Sequence, residues 1–303
     1  IAATVLMSIY LAGTIARPLR RLAAAADLVR HSHARRDVIP EFPNRDDEIS
    51  DLARALKEMT EALWLRMDAI ERFAADVAHE IKNPLTSLRS AVETAARVKD
   101  PDQQRKLMSI IQEDVQRLDR LISDISDASR LDAELSRAEH EPVNITEMLG
   151  TLADVHGATA REGAPRVVVD LPGAPGGRDI MVSGIEGRLV QVFRNLIGNA
   201  ASFSPPGGLI RLVARLDQGT VEITVEDDGP GIPPGQEAKI FERFYSERPE
   251  SEQFGTHSGL GLSISKQIVE AHDGTIVAEN RTGPDGAVNG ARFVVRLPSA
   301  QGR

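Results

Sequence analysis

The side chain best placed for chemistry is a histidine that faces away from an apolar helix stripe. His79 lies in the run Phe-Ala-Ala-Asp-Val-Ala-His-Glu-Ile-Lys-Asn-Pro, residues 73–84. At about 100° per residue, it lies about 200° from both Val77 and Ile81, which belong to the apolar stripe. The imidazole is therefore expected to point outward, where a neutral ring near pH 7 is a nucleophile toward a phosphoryl group. A merely solvated histidine is the alternative.

Three neighbouring residues suit the same chemistry. Glu80 is adjacent to the histidine and can orient its ring or accept the displaced proton. Asn83, one helical turn on, shares a face with His79 and can hold a water molecule. Pro84 lacks a backbone N–H, so we expect it to bend the helix just beyond the site.

A second group of candidates combines amides with glycines and one aspartate. Asn195 and Asn199 lie four residues apart on one face of a helix predicted at 188–203. Amide oxygens so placed can bind Mg²⁺ while the NH₂ groups reach phosphate. Paired asparagines also occur in plain helix caps, so this pair alone leaves both interpretations open.

Asp227 ends a predicted strand, and the turn that follows contains Gly229 and Gly231. An aspartate there can accept a hydrogen bond from the exocyclic amine of adenine, and the glycines let the backbone come close to a base. Asp-Gly and Pro-Gly pairs also form simple surface turns, which is the alternative.

Another glycine-containing segment opens a helix predicted to end at residue 271. Its N-terminus carries Gly259, Leu260, Gly261 and Leu262. Free N–H groups and the positive end of the helix dipole can bind phosphates there, although two glycines of this kind are weak evidence alone. The preceding residues, 247–257, have the polar composition expected of a lid over a nucleotide.

Composition excludes several classes of protein and of site. The 303-residue chain carries a net charge of −9, whereas nucleic-acid-binding surfaces normally need a basic face. It contains no cysteine, which excludes disulfides, thiolate metal sites and cysteine nucleophiles. With only one Trp and two Tyr, the core is expected to rely on aliphatic side chains, as helical bundles often do.

Residues 1–16 are uncharged and mostly apolar, and Arg17, Arg20 and Arg21 follow directly. About 20 apolar residues are needed to span a bilayer, and residues 1–16 are fewer than that. We therefore interpret 1–16 as the end of a transmembrane helix whose basic flank marks the cytoplasmic side. A buried or fraying helix is the alternative.

Apolar periodicity predicts long helices up to about residue 140. The first stripe steps by threes and fours, as in a coiled-coil seam: Leu52, Leu56, Met59, Leu63, Ile70, Phe73 and Val77. After a turn near Asp100 and Pro101, a second amphipathic run reaches Leu131. Two helices joined in this way have too little core to stand alone, so two hairpins are expected to pair as a four-helix dimer.

Beyond residue 140, strand-like and helix-like segments are mixed. The predicted strands are 166–169, 209–216, 220–225, 274–278 and 291–297, and the predicted helices are 145–160, 188–203 and 261–271. This order favours an α/β sandwich, in which helices cover one face of a sheet. The predicted fold is therefore multidomain, with all-α segments followed by an α/β sandwich.

These motifs carry a resemblance that spans residues 17–298. The segment around His79 resembles the H-box of bacterial two-component sensor histidine kinases, in which the histidine is phosphorylated. The resemblance implies that Glu80 is the catalytic acid/base and that Asn83 helps to hydrolyse the partner's aspartyl phosphate. Residues 17–65 resemble a HAMP linker, two short helices joined by a connector at 31–44, for which a plain spacer helix is the alternative.

Downstream, five ordered motifs resemble those of the Bergerat (GHKL) ATP-binding fold: its N, G1, F and G2 boxes and a last glycine motif at 289–293. The resemblance implies ATP and Mg²⁺ as cofactors, with Asn195 and Asn199 as metal ligands that also contact the nucleotide. The other implied nucleotide-binding residues are Asp227, Gly229, Gly231, Tyr245, Arg248, Gly259, Leu260, Gly261 and Leu262.

The chain departs from the family pattern at three positions. Ser202 stands where a Lys or Arg is usual, and Arg243 and Arg248 are the candidates to replace that charge. His257 replaces the first glycine of the second Gly box, and Ile185 replaces an Asp before the N-box. These departures bear on ATP affinity more than on the fold.

The resemblance also implies a domain order and partners. The expected order is a transmembrane helix end at 1–16, a HAMP linker at 17–65, a dimerisation and phosphotransfer domain at 66–140 and an ATP-binding domain at 141–303. The implied protein is a homodimer in the bacterial inner membrane, with this portion in the cytoplasm. It would autophosphorylate His79, pass the phosphoryl group to an aspartate of a response-regulator receiver domain, and bind no nucleic acid.

Two alternatives stay open at this point. A Bergerat-fold ATPase of the chaperone or topoisomerase kind would leave the H-box unexplained. A signalling scaffold or phosphatase with a degenerate ATP site is favoured by Ser202 and His257.

Within the histidine kinases, residues 199–207, 244–250 and 261–272 resemble the alphaproteobacterial ChvG/ExoS type, which responds to acid and envelope conditions.

Overall fold

The computed structural model describes residues 1–31, 39–42, 45, 47–135, 138–160, 163–171, 179–245, 259–283 and 286–300. The chain divides into two compact units, Ile1–His79 and Glu80–Arg303. The boundary between them falls inside one long helix.

The first unit is helical. Helix α1 covers Ala2–Leu11, a π-helical turn covers Ala12–Ala16, and α2 covers Arg17–His31. Among the residues described, one stretch, Ala2–Val29, is long and apolar enough to cross a membrane by its length and composition. Of the predicted connector at 31–44, the described residues 39–42 are non-helical, and residues 32–38, 43 and 44 lie outside the described part.

Helix α3 covers Glu48–Ala95. Asp47 caps its start by accepting the backbone N–H of Ser50 at 3.3 Å, and Glu48 in the first turn suits the positive end of the helix dipole. A small core joins α2 and the start of α3 through Leu22, Ala25, Ile39 and Ala53, with Val29, Phe42, Ile49 and Leu56 packed against them.

The predicted seam on α3 divides into two faces. Ala53 and Thr60, which the prediction omitted, are buried, and Ala53 belongs to the unit's core. Four members of the predicted stripe are each more than half exposed: Leu52, Met59, Leu63 and Ile70. The described residues therefore leave an apolar stripe exposed, because helical periodicity places these side chains beside the core-facing row rather than in it.

Helix α4 covers Pro101–Leu135, so the turn predicted near Asp100 and Pro101 is confirmed. Pro101 is the first helical residue, where a missing N–H costs nothing. Asp100 accepts the backbone N–H of Asp102 at 3.0 Å, which caps the helix.

Beyond residue 140 the second unit is an α/β sandwich, as predicted. Its strands are β1 Glu141–Asn144, β2 Arg166–Asp170, β3 Met181–Gly184, β4 Leu209–Asp217, β5 Thr220–Glu226, β6 Thr275–Thr282 and β7 Val288–Pro298. Its helices are α5 Ile145–Thr159, α6 Glu186–Phe203 and α7 Gly261–Ala271, and a 3₁₀ turn covers Lys239–Phe241.

Five strands form one mixed sheet in the order β2-β4-β5-β7-β6, with β2 parallel to β4 and the other neighbours antiparallel. Helices α5, α6 and α7 contact this sheet. In β5, Val221, Ile223 and Val225 are fully buried. Glu222, on the alternate face, instead pairs with Arg215 and Arg296 of the two neighbouring strands.

Two short strands escaped prediction. Strands β1 and β3 pair antiparallel as a separate two-stranded sheet. Each has four residues, which is too short to show a period-two pattern. Strands β6 and β7 are also longer than predicted, because their ends carry polar residues that are paired through the backbone.

His272, just beyond α7, joins separate parts of the second unit. It is only 2% exposed. Its Nε2 accepts the backbone N–H of Ile185 at 3.0 Å, so the ring proton is on Nδ1, which lies 2.7 Å from the carbonyl oxygen of Ile268. The ring of His140 stacks on it, with 4.9 Å between centroids.

The burial of His272 predicts a pH-dependent stability. Burial lowers the pKa of His272, the hydrogen bond to Ile268 and the charge of Asp273 oppose this, and His140 adds to it. Because the pKa of His272 is lowered in the folded state, the neutral ring contributes stability at pH values above its ordinary pKa of 6.5. That contribution is lost as pH falls through the lowered pKa. We expect the free energy of unfolding, measured in urea, to decrease between about pH 7.5 and about pH 5.

The variant His272→Gln should be less stable at the upper pH and should lose this part of the pH dependence. His156→Gln, which replaces a histidine in α5, is the matched control and should keep it. Equal pH slopes for the wild type and His272→Gln would contradict the prediction.

Candidate functional site

The phosphoacceptor candidate lies on the surface of α3. His79 is exposed, as its helical phase predicted, and Asn83 is exposed as well. The carboxylate of Glu80 lies 3.2 Å from the guanidinium of Arg117 on α4, and the two side chains are 26% and 22% exposed. The ion pair therefore positions a carboxylate next to the candidate histidine. Their roles in phosphotransfer stay predictions.

Pro84 is buried and lies inside α3, which continues past it to Ala95. Its ring removes the N–H that would otherwise reach the carbonyl of Glu80, four residues earlier. Pro84 therefore does not end the helix. Arg117 was not predicted from the sequence, because it is one of several arginines on an amphipathic helix. No motif around it indicates that it is the partner of Glu80.

Asp227 is the centre of the second site. It follows β5 and is 3% exposed. Its Oδ1 accepts the backbone N–H groups of Gly229 at 2.8 Å and Ala291 at 3.1 Å. Within the part of the chain that the structure describes, no protein donor reaches Oδ2. The arrangement therefore leaves the second oxygen of this carboxylate for a ligand that carries an N–H donor.

The pKa of Asp227 is raised above its ordinary value. Burial is the largest cause, and it outweighs the hydrogen bonds from Ala291 and Gly229 and the charge of Arg281, which lower the pKa. Asp228, next in sequence, adds to the rise. The ionised carboxylate is thus held in the fold at a cost in stability, which is typical of functional groups.

Glycines let the backbone approach this carboxylate. Gly290 has φ 142°, and a Cβ there would overlap the carbonyl oxygen of Asp227. Gly231 has φ 80°, and a Cβ there would overlap Val288 and lie 2.5 Å from Asn280. A Cβ at Gly229 would lie 2.9 Å from the carbonyl oxygen of Phe203, so the end of α6 closes against the same turn. Side chains at these positions would push the loop away from Asp227.

Asn195 ties α6 to the first turn of α7. Its Nδ2 donates to the carbonyl of Gly261 at 3.2 Å and to the hydroxyl of Ser265 at 3.4 Å. Since the amide NH₂ is engaged, Oδ1 is the atom left to accept from a ligand or bind a cation. Asn199, one turn further on, is half-buried.

The N-terminus of α7 lacks a side-chain cap. Leu260 occupies the N-cap position and makes no side-chain hydrogen bond to the helix, so the first-turn N–H groups are free of a capping side chain. Its side chain is fully buried, so only its backbone can serve a ligand. Leu262 is half-buried.

The F-box and the second Gly box are joined through the backbone. Phe244 donates its N–H to the carbonyl of Gly259 at 2.9 Å. Its φ of 60° is rare for a bulky residue, and strain of this kind is often found at ligand sites. Tyr245 is half-buried beside it.

The positions that depart from the family pattern have different surroundings. Ser202 is half-buried near the end of α6, Arg243 is exposed, and Ile185 is the N-cap of α6 without a side-chain hydrogen bond. Arg248 and the predicted lid at 247–257, which includes His257, lie outside the described residues. Which residue supplies the charge missing at Ser202 therefore stays a prediction.

Three family matches follow one another along the chain. Residues 10–64 match the HAMP domain, residues 69–134 match the His Kinase A (phospho-acceptor) domain, and residues 184–301 match the Histidine kinase-, DNA gyrase B-, and HSP90-like ATPase family. The chain belongs to the sensor histidine kinases. Its ATPase match contains Asn195, Asn199 and Asp227, and its phospho-acceptor match contains His79.

Curated relatives confirm the resemblance to the ChvG type. The chain is 52% identical over 301 residues to the sensor protein ChvG of Rhizobium meliloti, which covers 97% of this chain and 52% of that protein. It is 49% identical over 301 residues to the sensor protein ChvG of Agrobacterium fabrum, and the match covers 98% of this chain and 50% of that protein. The chain thus spans about half the length of the curated relatives it matches.

Solved structures confirm the fold class. The complex of histidine kinase ThkA with response regulator protein TrrA matches with a TM-score of 0.61 and 25% identity, over 85% of this chain and 70% of that one. Full-length ShkA in complex with AMPPNP matches with a TM-score of 0.50 and 25% identity, over 76% of this chain and 46% of that one.

Asp227→Asn should separate ligand recognition from stability. Asparagine keeps an oxygen for the N–H groups of Gly229 and Ala291 but places an NH₂ group where a carboxylate oxygen would face an amine. Since the raised pKa means that the ionised form costs stability at neutral pH, the variant should melt at the same or a higher temperature. Its ATP dissociation constant should rise about 10- to 100-fold.

The matched control is Asp217→Asn, which alters an exposed aspartate at the end of β4. It should change neither the melting temperature nor the ATP dissociation constant. Fluorescence titration with an ATP analogue and thermal unfolding would measure both effects. Unchanged ATP affinity in Asp227→Asn would refute the assignment of Asp227.

Proposed function

We propose that this chain is the signalling part of an ATP-dependent protein histidine kinase that autophosphorylates His79. The observation that carries the proposal is the buried Asp227 carboxylate, whose Oδ1 is held by two backbone N–H groups. An exposed histidine flanked by a positioned carboxylate supplies the acceptor. The phospho-acceptor and ATPase family matches provide the two domains that this reaction needs.

Adenine would be recognised by Asp227, and the phosphates by the other end of the site. The N–H groups at the start of α7 and the NH₂ group of Asn199 suit phosphate oxygens. No group of three or more His, Cys, Asp or Glu side chains suited to a metal ion occurs among the described residues. The free Oδ1 of Asn195 nevertheless fits Mg²⁺, which usually binds through few protein oxygens together with substrate phosphates.

Bound Mg²⁺ would neutralise phosphate charge, and Asn195 and Asn199 would hold it. The protein's own residues account for the remaining chemistry. A nitrogen of the His79 imidazole forms the new N–P bond to the γ-phosphorus, while the bond from that phosphorus to the β,γ-bridging oxygen breaks and releases ADP. Glu80 accepts the proton displaced from the ring. Catalysis is then mostly positioning and charge neutralisation.

The phosphoryl group would next pass to an aspartate on the receiver domain of a response regulator. ThkA, a structural relative of this chain, is named in complex with such a regulator, which supports this partner. Asn83 is exposed one turn from the histidine, where it can position water for hydrolysis of that partner's aspartyl phosphate. The protein would therefore also be a phosphatase.

A homodimer anchored in the bacterial inner membrane is part of the same proposal. The exposed stripe formed by Leu52, Met59, Leu63 and Ile70 suits pairing with a second copy. The apolar stretch Ala2–Val29 and the HAMP match support the anchor. Arg17, Arg20 and Arg21, which directly follow the uncharged residues 1–16, favour a cytoplasmic position for the rest of the chain. The proposed domain bounds are those expected from the sequence.

Replacing His79 tests the kinase proposal directly. The chain in detergent is incubated with Mg²⁺ and γ-labelled ATP, and we expect an acid-labile, alkali-stable protein label. His79→Gln should abolish the label but leave ATP affinity unchanged, because the residue acts only as the acceptor. His156→Gln is the control histidine variant and should label normally.

Nucleotide binding without any label would contradict the kinase proposal and support the scaffold or phosphatase alternative. ATP turnover without a label would instead support an ATPase of the chaperone or topoisomerase kind. Label that survives in His79→Gln would place the acceptor elsewhere.

Glu80→Gln tests the proposed proton acceptor. The variant keeps the size of the side chain but loses its basicity, so the labelling rate should decrease about 10²- to 10⁴-fold. ATP affinity should stay at the wild-type value. Glu93→Gln, which alters an exposed glutamate near the end of the same helix, is the control. A labelling rate within about 3-fold of wild type would remove Glu80 from the mechanism.

A further inference from the structure

The loop that follows β5 is held at both ends by consecutive residues of one strand. This loop, residues 227–232, contains the adenine-facing Asp227 at its start and Ile232 at its end. Asn280 and Arg281 of β6 contact these two ends. Sequence analysis singled out neither residue.

Asn280 forms a two-bond pair with the backbone of Ile232. Its Oδ1 accepts the N–H of Ile232 at 2.6 Å, and its Nδ2 donates to the carbonyl of the same residue at 2.7 Å. Ile232 is 8% exposed. Because both backbone groups of one residue are satisfied by a single amide, the end of the loop is fixed in position and in orientation.

Arg281 holds the other end. Its Nη1 donates to the carbonyl oxygen of Asp227 at 2.6 Å and to the carboxylate of Asp228 at 3.0 Å. Its Nε lies 3.6 Å from the carboxylate of Glu226. The side chain is 22% exposed, so these contacts are partly screened from water. One guanidinium therefore contacts three successive residues at the point where the strand ends and the loop begins.

A strand irregularity makes this double contact feasible. Side chains of consecutive strand residues normally point to opposite faces, but the pairing of β6 with β7 shifts register between Asn280 and Thr282. Bulges of this kind re-aim side chains and are frequent beside functional sites. Across the gap, Gly290 has no side chain, which leaves room for the carbonyl of Asp227 and the guanidinium of Arg281.

We propose that Asn280 and Arg281 are positioning residues that hold the adenine-recognition loop and thereby set selectivity for adenine over guanine nucleotides. The inference rests on the proposed function only in taking ATP as the ligand of Asp227. Adenine presents an amine at the position where guanine presents a carbonyl oxygen. A carboxylate held in place accepts from the amine and repels the carbonyl, whereas a carboxylate on a loosened loop can turn away from guanine.

The test compares ATP and GTP binding to the full chain in detergent, with a fluorescent ATP analogue as the probe and each nucleotide as competitor. Arg281→Gln removes the charge and the guanidinium fork. Arg281→Lys keeps a charge that can reach one acceptor. Arg292→Gln is the matched control, since Arg292 pairs with the same Glu226 and with Glu279, and its side chain forms no ion pair with Asp227 or Asp228 in the described part of the chain.

Arg281→Gln should raise the ATP dissociation constant about 10-fold and leave that of GTP within about 2-fold, so the preference for ATP shrinks. Arg281→Lys should restore part of the preference, and Arg292→Gln should behave as wild type. The KM for ATP in labelling should rise with little change in kcat, because the loop contacts the base rather than the reacting phosphate.

Equal weakening of ATP and GTP, or equal effects of Arg281→Gln and Arg292→Gln, would overturn the proposal and indicate a role in folding alone. If Arg281→Gln fails to fold, Asn280→Asp is the second variant. It keeps the shape of the side chain but turns the donor toward Ile232 into an acceptor, and it should lower the ATP preference in the same way. A wild type that binds ATP without labelling His79 would refute the proposed kinase activity and leave this test valid.

Discussion

Asp227 places a carboxylate among buried strands, where a charge without partners would be strongly unfavourable. The fold compensates it with two backbone N–H groups at Oδ1. One of these N–H groups belongs to Ala291, so the strand β7 must run beside the end of β5 in one register. Gly290 is required for this approach, since any side chain there would overlap the carbonyl of Asp227. One carboxylate thus constrains how the neighbouring strands β5 and β7 meet at this end of the sheet.

The two ends of the proposed nucleotide site are built in different ways. The base end depends on strands β5, β6 and β7, where backbone pairing and the contacts of Asn280 and Arg281 fix the loop. The phosphate end depends on helices α6 and α7, joined by the amide of Asn195. Strand pairing makes the base end rigid, whereas an uncapped helix start leaves N–H groups that a ligand can satisfy. This division suits the proposed function, in which the site fixes adenine and delivers the terminal phosphate.

The phosphoacceptor segment follows a different principle. His79 is exposed, and the carboxylate next to it is positioned by Arg117 of the neighbouring helix. Helix α3 also exposes a stripe of large apolar side chains, which a helix in water cannot leave uncovered without cost. In the proposed function His79 meets a nucleotide and a partner protein, so it has to remain on the surface. The stability of its helix therefore has to come from other positions.

Much of this could be predicted from the sequence. Helical phase placed His79 on the surface, and α7 begins and ends at the predicted residues because a glycine start and an apolar period mark it locally. The five strands of the main sheet were predicted, with their ends misjudged by a few residues. Strands β1 and β3 were missed, since four residues show no periodicity. The motifs around Asn195, Asp227 and Gly259 indicated a nucleotide site before any contact was known.

The tertiary structure alone decided which distant residues support these motifs. Arg117 meets Glu80, Asn280 meets Ile232, and Arg281 meets Asp227. Such pairs depend on how two helices face each other and on a register shift in β6, and both are set by packing and by backbone hydrogen bonds between segments far apart in the chain. The local periodicity of the sequence therefore does not predict these pairs. The sequence by itself therefore determined the chemistry available to this protein, and the packed fold determined how that chemistry is held in place.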